Sequence, residues 1–504
     1  MSVVVNRVRR GFYADSVALM RIARALAAGA GVLDASLMIG SESNKALLGD
    51  AGLLGDGARD AQANDLVIAV RARTAAQANA ALDEAARLLE GGGNGGDGGG
   101  EAAPTEASRG VVGFGAALDA LPAANLALIS VPGEFAAPEA RRALERGLHV
   151  MIFSDNVPLE EEVALKRRAL ELGLLVMGPD CGTALIGGTP LAFANAVPRG
   201  DVGIVSASGT GLQEVSCLLA RAGCGVSHGI GVGGRDLSAA VGGLMTLAAL
   251  DALEADRATK RIVVISKPPS PAVTEKVLAR AARCRKPVVL CLLGAEKTAA
   301  RGKVTFVRTL EAAAAAVSGK RASRRPALGR ARKGWIRGLF SGGTLCVEAQ
   351  IVLMDAGHVV ASNAAVPGAQ RPGRSAASHR LIDLGADEYT RGRPHPMIDP
   401  ALRNEHLARA LRERDVAAVL LDVVLGTGAH DDPAGLIAQV VRAAGAGAPQ
   451  VVASVTGTDA DAQGYARQVA GLRAAGVRVA RSNAEAARTA ARMVQATRPR
   501  RRSR

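Results

Sequence analysis

The residues best suited to chemistry lie where apolar runs break into small side chains. Gly200 to Gly223, GDVGIVSASGTGLQEVSCLLARAG, carries a strand over Val202–Val205 into Ser206-Ala207-Ser208-Gly209-Thr210, and a helix runs from about Leu212. Side chains this small let an anion approach the backbone. The helix N-terminus adds unpaired N–H groups and the positive end of its dipole. A plain βα turn capped by Ser or Thr has the same residues, so the turn alone does not prove a site.

Val419 to Val441, VLLDVVLGTGAHDDPAGLIAQVV, repeats the pattern. A strand ends at Gly426-Thr427-Gly428 and a helix begins near Asp432-Pro433, a second N-terminus suited to an anion. His430 lies in that turn, where a lone histidine is more often a cap or a bystander than a catalyst. Ser206, Ser208, Gly209, Thr210, Gly426, Thr427 and Gly428 are therefore the candidate anion-binding residues, and the two segments are expected to converge. In VMGPDCGTALIGG, Val176 to Gly188, a strand ends at Gly178-Pro179, and Asp180-Cys181-Gly182-Thr183 turns. Cys181 also fits a small buried filler. Gly229 to Gly243, GIGVGGRDLSAAVGG, matches G-x-G-x-x-G, but no ribose-binding acid follows at the required distance, so a dinucleotide site is rejected.

The elements that must hold these turns alternate. Apolar runs at Leu126–Ile129, Val150–Phe153, Leu174–Met177, Gly203–Ser206, Ile262–Ser266 and Pro287–Leu292 are separated by helical segments, as in parallel sheets buried on both faces. Strands near Arg337–Phe340, Leu381–Asp383, Ala417–Leu421, Gln450–Val455 and Val477–Ala480 repeat the arrangement. Ligands of such sheets sit at the carboxyl ends of the strands. Residues 1–90 read β-α-β, a polar stretch, then β-α, a small α/β domain with no catalytic signature. A glycine-rich linker (91–109), a break at Val197–Gly200, a basic linker (319–334) and an arginine-rich tail (496–504) divide the chain. The expected domains are 1–90, 110–197, 201–318 and 335–495.

Composition excludes several classes. The formal charge of +15 is concentrated in the basic linker and the tail, with no aromatic-rich strand or basic recognition helix, so nucleic acid is not the expected partner. No apolar run is long enough to span a membrane, and the N-terminus lacks the apolar region of a signal peptide. The six cysteines form no C-x-x-C pair and read as reduced thiols of a cytoplasmic protein, and the seven histidines show no metal-ligand spacing.

Taken together, these motifs resemble the succinyl-CoA synthetases. Residues 125–292 are similar to the α subunit: VGIVSASGT, GPDCG and GIGVGGRDL fall on that family's anion, turn and glycine-rich segments. Residues 338–495 resemble the carboxyl domain of the β subunit at Leu381–Gly385, Leu421–Asp431 and Val451–Asp459. Gly11–Ser16 and Asn44–Leu48 resemble the FdrA proteins specifically. The resemblance implies an α/β fold of several parallel-sheet domains, a Rossmann-like CoA-binding domain and flavodoxin-like ligase domains behind a small N-terminal α/β domain. It implies coenzyme A at the region of Pro179, Asp180, Cys181 and Gly182, and an acyl phosphate or carbamoyl phosphate as ligand. It also implies an ADP-forming acyl-CoA synthetase class, or a carbamoyltransferase subunit of allantoin catabolism, with other subunits as partners; a regulatory subunit is the non-catalytic reading.

The chain departs from that family in two respects. The segment after Lys286–Gly294 contains no histidine where the family carries its phosphorylated GHAGA histidine, and Ser266-Lys267-Pro268-Pro269-Ser270 replaces GEIGG. The basic linker is too short to hold an ATP-grasp domain. Incubation with labelled ATP and magnesium is accordingly expected to leave no acid-labile phosphate on the chain; label on His228 or His430 would overturn this.

Overall fold

In a computed structural model of the chain, residues 2–12, 14, 16–91, 113–295, 302–320, 331–373, 378–390, 394–445 and 447–494 are described. The glycine-rich run 92–112, the basic run 321–330 and the arginine-rich tail lie outside the described residues. The chain forms two compact units: Met1–Val131 with Arg146–Leu148 and Arg391–Pro394, and Pro132–Glu145 with His149–Thr390 and His395–Arg504.

The first unit holds three antiparallel strands, β1 (Val3–Arg9), β2 (Val32–Ile39) and β3 (Leu66–Ala72), in the order β1-β3-β2. The central strand is buried on both faces, so it is apolar from Leu66 to Val70, and only Arg71 is polar and partly exposed. Leu66, Ile68 and Val70 face the helices Ser16–Ala27 and Ala75–Gly91 through Leu19, Leu26 and Leu82. Val67 and Ala69 face Leu48, Leu53 and Ala58 on the other side. This is the period-2 alternation of a strand. β4 (Leu126–Ile129) also belongs to this unit.

The second unit contains β5 (His149–Ile152) and β6 (Val176–Met177), paired in parallel, and two larger sheets. The first consists of β7 (Thr183–Ile186), β8 (Thr189–Ala192), β9 (Arg199–Ser206), β10 (Val226–Gly231), β11 (Arg261–Ser266), β12 (Val288–Leu292) and β13 (Val304–Phe306), in the order β13-β12-β11-β9-β10-β7-β8. β7 and β8 precede the Val197–Gly200 break yet pair into this sheet, β7 lying antiparallel to β10. The break therefore does not separate the sheet from the residues before it. Their hairpin, turned by Gly187 and Gly188 at φ 61° and 90°, has strands of only four residues each, too short for an alternation to show in the sequence. Gly229 and Gly231 lie within β10, where Leu185, Leu212 and Cys181 pack against their α-carbons.

The second sheet, all parallel, contains β14 (Trp335–Phe340), β15 (Val360–Ser362), β16 (His379–Asp383), β17 (Val416–Val424), β18 (Gln450–Thr456) and β19 (Arg478–Ala480), in the order β15-β16-β14-β17-β18-β19. In each sheet one strand stands where the winding reverses direction, β9 in the first and β14 in the second. The carboxyl end of such a strand borders a crevice. From those two ends depart the helices Gly209–Arg221 and Gly343–Asp355.

One apolar core joins the two sheets, with Leu212, Val215 and Leu219 of the Gly209 helix packed among Leu345, Ala349, Ala484 and Ala487. Two fully buried carboxylates cross it. Glu348 accepts from Leu310 N–H at 2.6 Å and from Asn483 Nδ2 at 2.7 Å. Glu214 accepts from Asn483 N–H at 3.0 Å and from Thr456 Oγ1 at 2.5 Å. Each thereby satisfies a first-turn N–H of a helix, Leu310–Ser318 or Asn483–Met493. Burial, reinforced by Glu214 and Glu311, pushes the Glu348 carboxyl up to about 8 from 4.5. A raised carboxylate contributes stability that is complete below its unfolded value and is lost as pH rises through the folded one. The chain should therefore lose stability between about pH 4.5 and pH 8 through this group alone, by about 1.4 kcal/mol per pH unit. Glu348→Gln should cost about 1 kcal/mol at the acidic end and flatten the slope, as read by denaturant unfolding at each pH. An unchanged slope in the variant would place the titration elsewhere.

Candidate functional site

The Gly209 helix begins with a tightly bonded turn. Ala207 N–H donates to Ile265 O at 2.9 Å, fixing the end of β9 against β11. Ser206 Oγ donates to Ser208 O at 2.7 Å and accepts from Ser208 N–H at 3.2 Å. Ser208 is the N-cap, its Oγ accepting from Gly211 N–H at 2.9 Å. The same hydroxyl donates to Thr344 Oγ1 at 2.6 Å, in the first turn of the Gly343 helix. The N-termini of the two helices thus meet.

The Gly343 helix is positioned from beneath by Asp422 of β17. Its two carboxylate oxygens accept from Ser341 and Gly342 N–H, each at 2.7 Å, in a fully buried site. Burial pushes this carboxyl up to about 6 despite those bonds and the nearby Arg403. Gly342 has no room for a side chain: a methyl there would lie 2.9 Å from the Thr210 methyl. On Gly343 it would lie 2.6 Å from Asp383 Oδ2 and 3.2 Å from Lys267 Nζ. Among the described residues the N–H groups of Gly209, Thr210, Gly343 and Thr344 find no protein acceptor. Four donors at two dipole ends favour an anion there by about 1–2 kcal/mol before hydrogen bonds are counted.

Charged side chains border this cradle. Lys267 follows β11, is exposed, and acts on both Asp383 and Asp180. Asp383, at the end of β16, is buried, and burial raises its carboxyl while Lys267 and the Gly385 N–H oppose the rise. Asp180 stands at the surface of a concave turn at φ 56°, its N–H donating to Ser154 O at 3.0 Å. The surrounding protein displaces water from its carboxyl, and this, with Asp155 and Asp387, pushes it up to about 6. A non-glycine residue in that left-handed region marks a turn specified by its surroundings.

Of the residues singled out in the sequence, Ser206, Ser208, Gly209 and Thr210 lie at the cradle. Gly426, Thr427 and Gly428 follow Leu425, whose main-chain oxygen accepts from Gln213 of the Gly209 helix at 3.3 Å, but the Gly426 and Thr427 donors are bonded elsewhere in the protein. Gly426 N–H donates to Gln463 Oε1 at 3.2 Å and Thr427 N–H to Ala194 O at 3.1 Å, while Phe193 packs on Gly428. The helix that follows, Pro433–Ala444, is capped by Asp432 and by Gln468, which accepts from Ala434 N–H. The donors of that turn are thus largely spent within the protein. The second N-terminus is Ser341-Gly342-Gly343-Thr344, which has the same small-residue grammar as Ser206–Thr210 and could have been found by that match. In the Pro179–Gly182 turn only Asp180 is exposed. Cys181 is buried, donates to Thr183 O and Gly231 O, and has its thiol pushed up to about 12 by burial, so it is structural. His430 Nδ1 accepts from Asp432 N–H at 2.9 Å within its own turn, and His228 Nδ1, on β10, accepts from Gly187 N–H of the β7–β8 hairpin at 3.1 Å.

A mixed and a parallel sheet joined at their switch points, with an open pair of helix N-termini, define an acyl-CoA ligase-like protein. The CoA-ligase family profile matches residues 339–493, and a profile described as "AllF, heavy metal-associated domain" matches residues 1–105. The chain belongs to the family of YahF from Escherichia coli K12, with which it is 42% identical over 94% of its own length and 95% of that protein. It is also 30% identical, over 36% of its length, to the ADP-forming sulfoacetate-CoA ligase subunit SauD of Bilophila wadsworthia. A 29% identity over the same share relates it to succinate–CoA ligase [ADP-forming] subunit alpha 1 of Archaeoglobus fulgidus. The matches span 62% and 61% of those two ligase subunits. The metal in the first-unit description does not fit this chain: no Cys or His precedes His149, so the thiol and imidazole ligands of soft metals are missing there.

The Asp422 clamp is testable. Asp422→Asn leaves one acceptor oxygen and turns an NH₂ toward a backbone donor, which should cost about 2–4 kcal/mol at neutral pH. Denaturant unfolding measures the loss, and amide exchange should localise it to residues 341–345. A variant as stable as the parent would show that the turn is held by something else.

Proposed function

We propose that the chain binds the phosphoryl end of an acyl phosphate between the Gly209 and Gly343 helices, as one subunit of an acyl-CoA ligase of the ADP-forming, FdrA type. The observation that carries this reading is the 2.6 Å bond from Ser208 to Thr344, which sets two helix N-termini side by side with their first N–H groups open. Such donors lie in fixed positions and stabilise charge as it moves between the carbonyl and phosphate oxygens of the anhydride. Lys267 adds a cation at the rim. Asp180, in the turn expected to lie near coenzyme A, supplies a carboxyl that is partly protonated near pH 6 and could hold or release a proton there.

The chain contributes no histidine after Lys286–Gly294 to relay a phosphoryl group. Activation by ATP then falls to a partner subunit, in keeping with the subunit names of the ligase relatives. A second reading draws on the same absence together with the AllF match: carbamoyl phosphate arrives already activated and needs neither histidine nor ATP, which fits a carbamoyltransferase subunit of allantoin catabolism.

Calorimetry with inorganic phosphate and with carbamoyl phosphate tests the cradle directly. Gly209→Val and Gly343→Ala should each weaken binding about tenfold or more, the first by crowding Thr183 and the second by displacing Asp383 and Lys267 at the open N–H groups. Thr427→Ala should leave binding unchanged, since that residue is exposed outside the cradle. Binding insensitive to both glycine variants would sink the reading. A folded parent that binds neither anion would favour a regulatory subunit.

A further inference from the structure

Arg403 lies in the first turn of the helix Ala401–Ala410 and is only 2% exposed. Its Nη1 donates to the main-chain oxygen of Asp422 at 3.3 Å. Its Nε and Nη2 have no partner among the described residues. Those two nitrogens form one edge of the guanidinium, the fork that a carboxylate accepts through two parallel bonds. The opposing charge is that of Asp422, but both of its carboxylate oxygens are taken by Ser341 and Gly342 N–H. Ser341, at the neighbouring strand end, is also 2% exposed, and its hydroxyl has no partner among the described residues. Burial lowers the Arg403 guanidinium to about 10, which leaves it a cation at neutral pH. A buried cation with an open donor edge is unfavourable unless something accepts from it.

We propose that the open edge of Arg403, with the Ser341 hydroxyl at the adjoining strand end, is a buried subsite for the carboxylate of a small organic acid. One planar fork and one hydroxyl match the two coplanar oxygens of a carboxylate. A phosphate would bring a third oxygen and a second charge, for which the subsite offers no further cation. Through Asp422 the subsite adjoins the turn that opens the Gly343 helix. An acid held here by its carboxylate is the partner of the transferred acyl group, a role that rests on the function proposed above; the subsite itself does not.

The test is thermal unfolding of the full chain in sodium oxalate, sodium pyruvate and inorganic phosphate, each against sodium chloride of equal ionic strength. The parent should show a saturable rise in Tm with at least one carboxylate. Arg403→Met should abolish that rise while keeping a ligand-free Tm at or above the parent's, because an apolar side chain of similar length replaces an unpaired buried cation. Arg403→Lys keeps the charge without the fork and should weaken the carboxylate response about tenfold. Gly209→Val should blunt the phosphate response and leave the carboxylate response intact, so failure of the cradle and failure of this subsite give different patterns. No saturable rise with either carboxylate, or an equal rise in the Met or Lys variant, overturns the proposal.

Discussion

Two helices of this protein present their positive ends to each other, and most of the second unit is arranged to make that tolerable. Each N-terminus carries the equivalent of roughly half an elementary charge. Left alone, like ends in contact would part. Three buried acids anchor the two helices. Asp422 holds the turn before the Gly343 helix by two N–H groups. Glu214 and Glu348, on the two helices themselves, reach across to the first turns of neighbouring helices. The Ser208 hydroxyl closes the contact by accepting within its own turn while donating to Thr344. An anion at the open N–H groups would offset the two positive ends.

Small residues decide where that approach can happen. Gly342 and Gly343 have no space for a methyl, one because of Thr210 and the other because of Asp383 and Lys267. The Gly426–Gly428 turn shows the contrast. It has the same composition and leads into a helix of similar length, but Gln463, Ala194 and Gln468 have taken donors that would otherwise be offered. Composition makes a helix N-terminus available; neighbouring acceptors determine whether it stays so.

The chain carries in one polypeptide a stretch similar to ligase alpha subunits and a CoA-ligase segment at residues 339–493. Their common core, with the Gly209 and Gly343 helices at its centre, shows why both belong on one chain: neither helix end has its partner without the other. The buried acids in this seam also make it sensitive to pH, since each is held in surroundings that disfavour its charge.

The sequence by itself determined the α/β class, the parallel strands near Gly203–Ser206, Ile262–Ser266, Leu381–Asp383 and Gln450–Val455, and the small-residue turn at Ser206–Thr210. Those features are local: apolar runs must be buried, and a strand that stops at Ser-Gly-Thr must turn. Short strands such as β7 and β8 were invisible because the pairing of β7 with β10 comes from tertiary structure. Only the fold decided which second turn meets Ser208. Ser341–Thr344 and Gly426–Gly428 are equally plausible as text, and the choice depends on strand order, which places β14 at the switch point and gives the donors of the other turn to Gln463 and Ala194. Arg403 carried no local signal, because its burial and its open edge are properties of its neighbours in space.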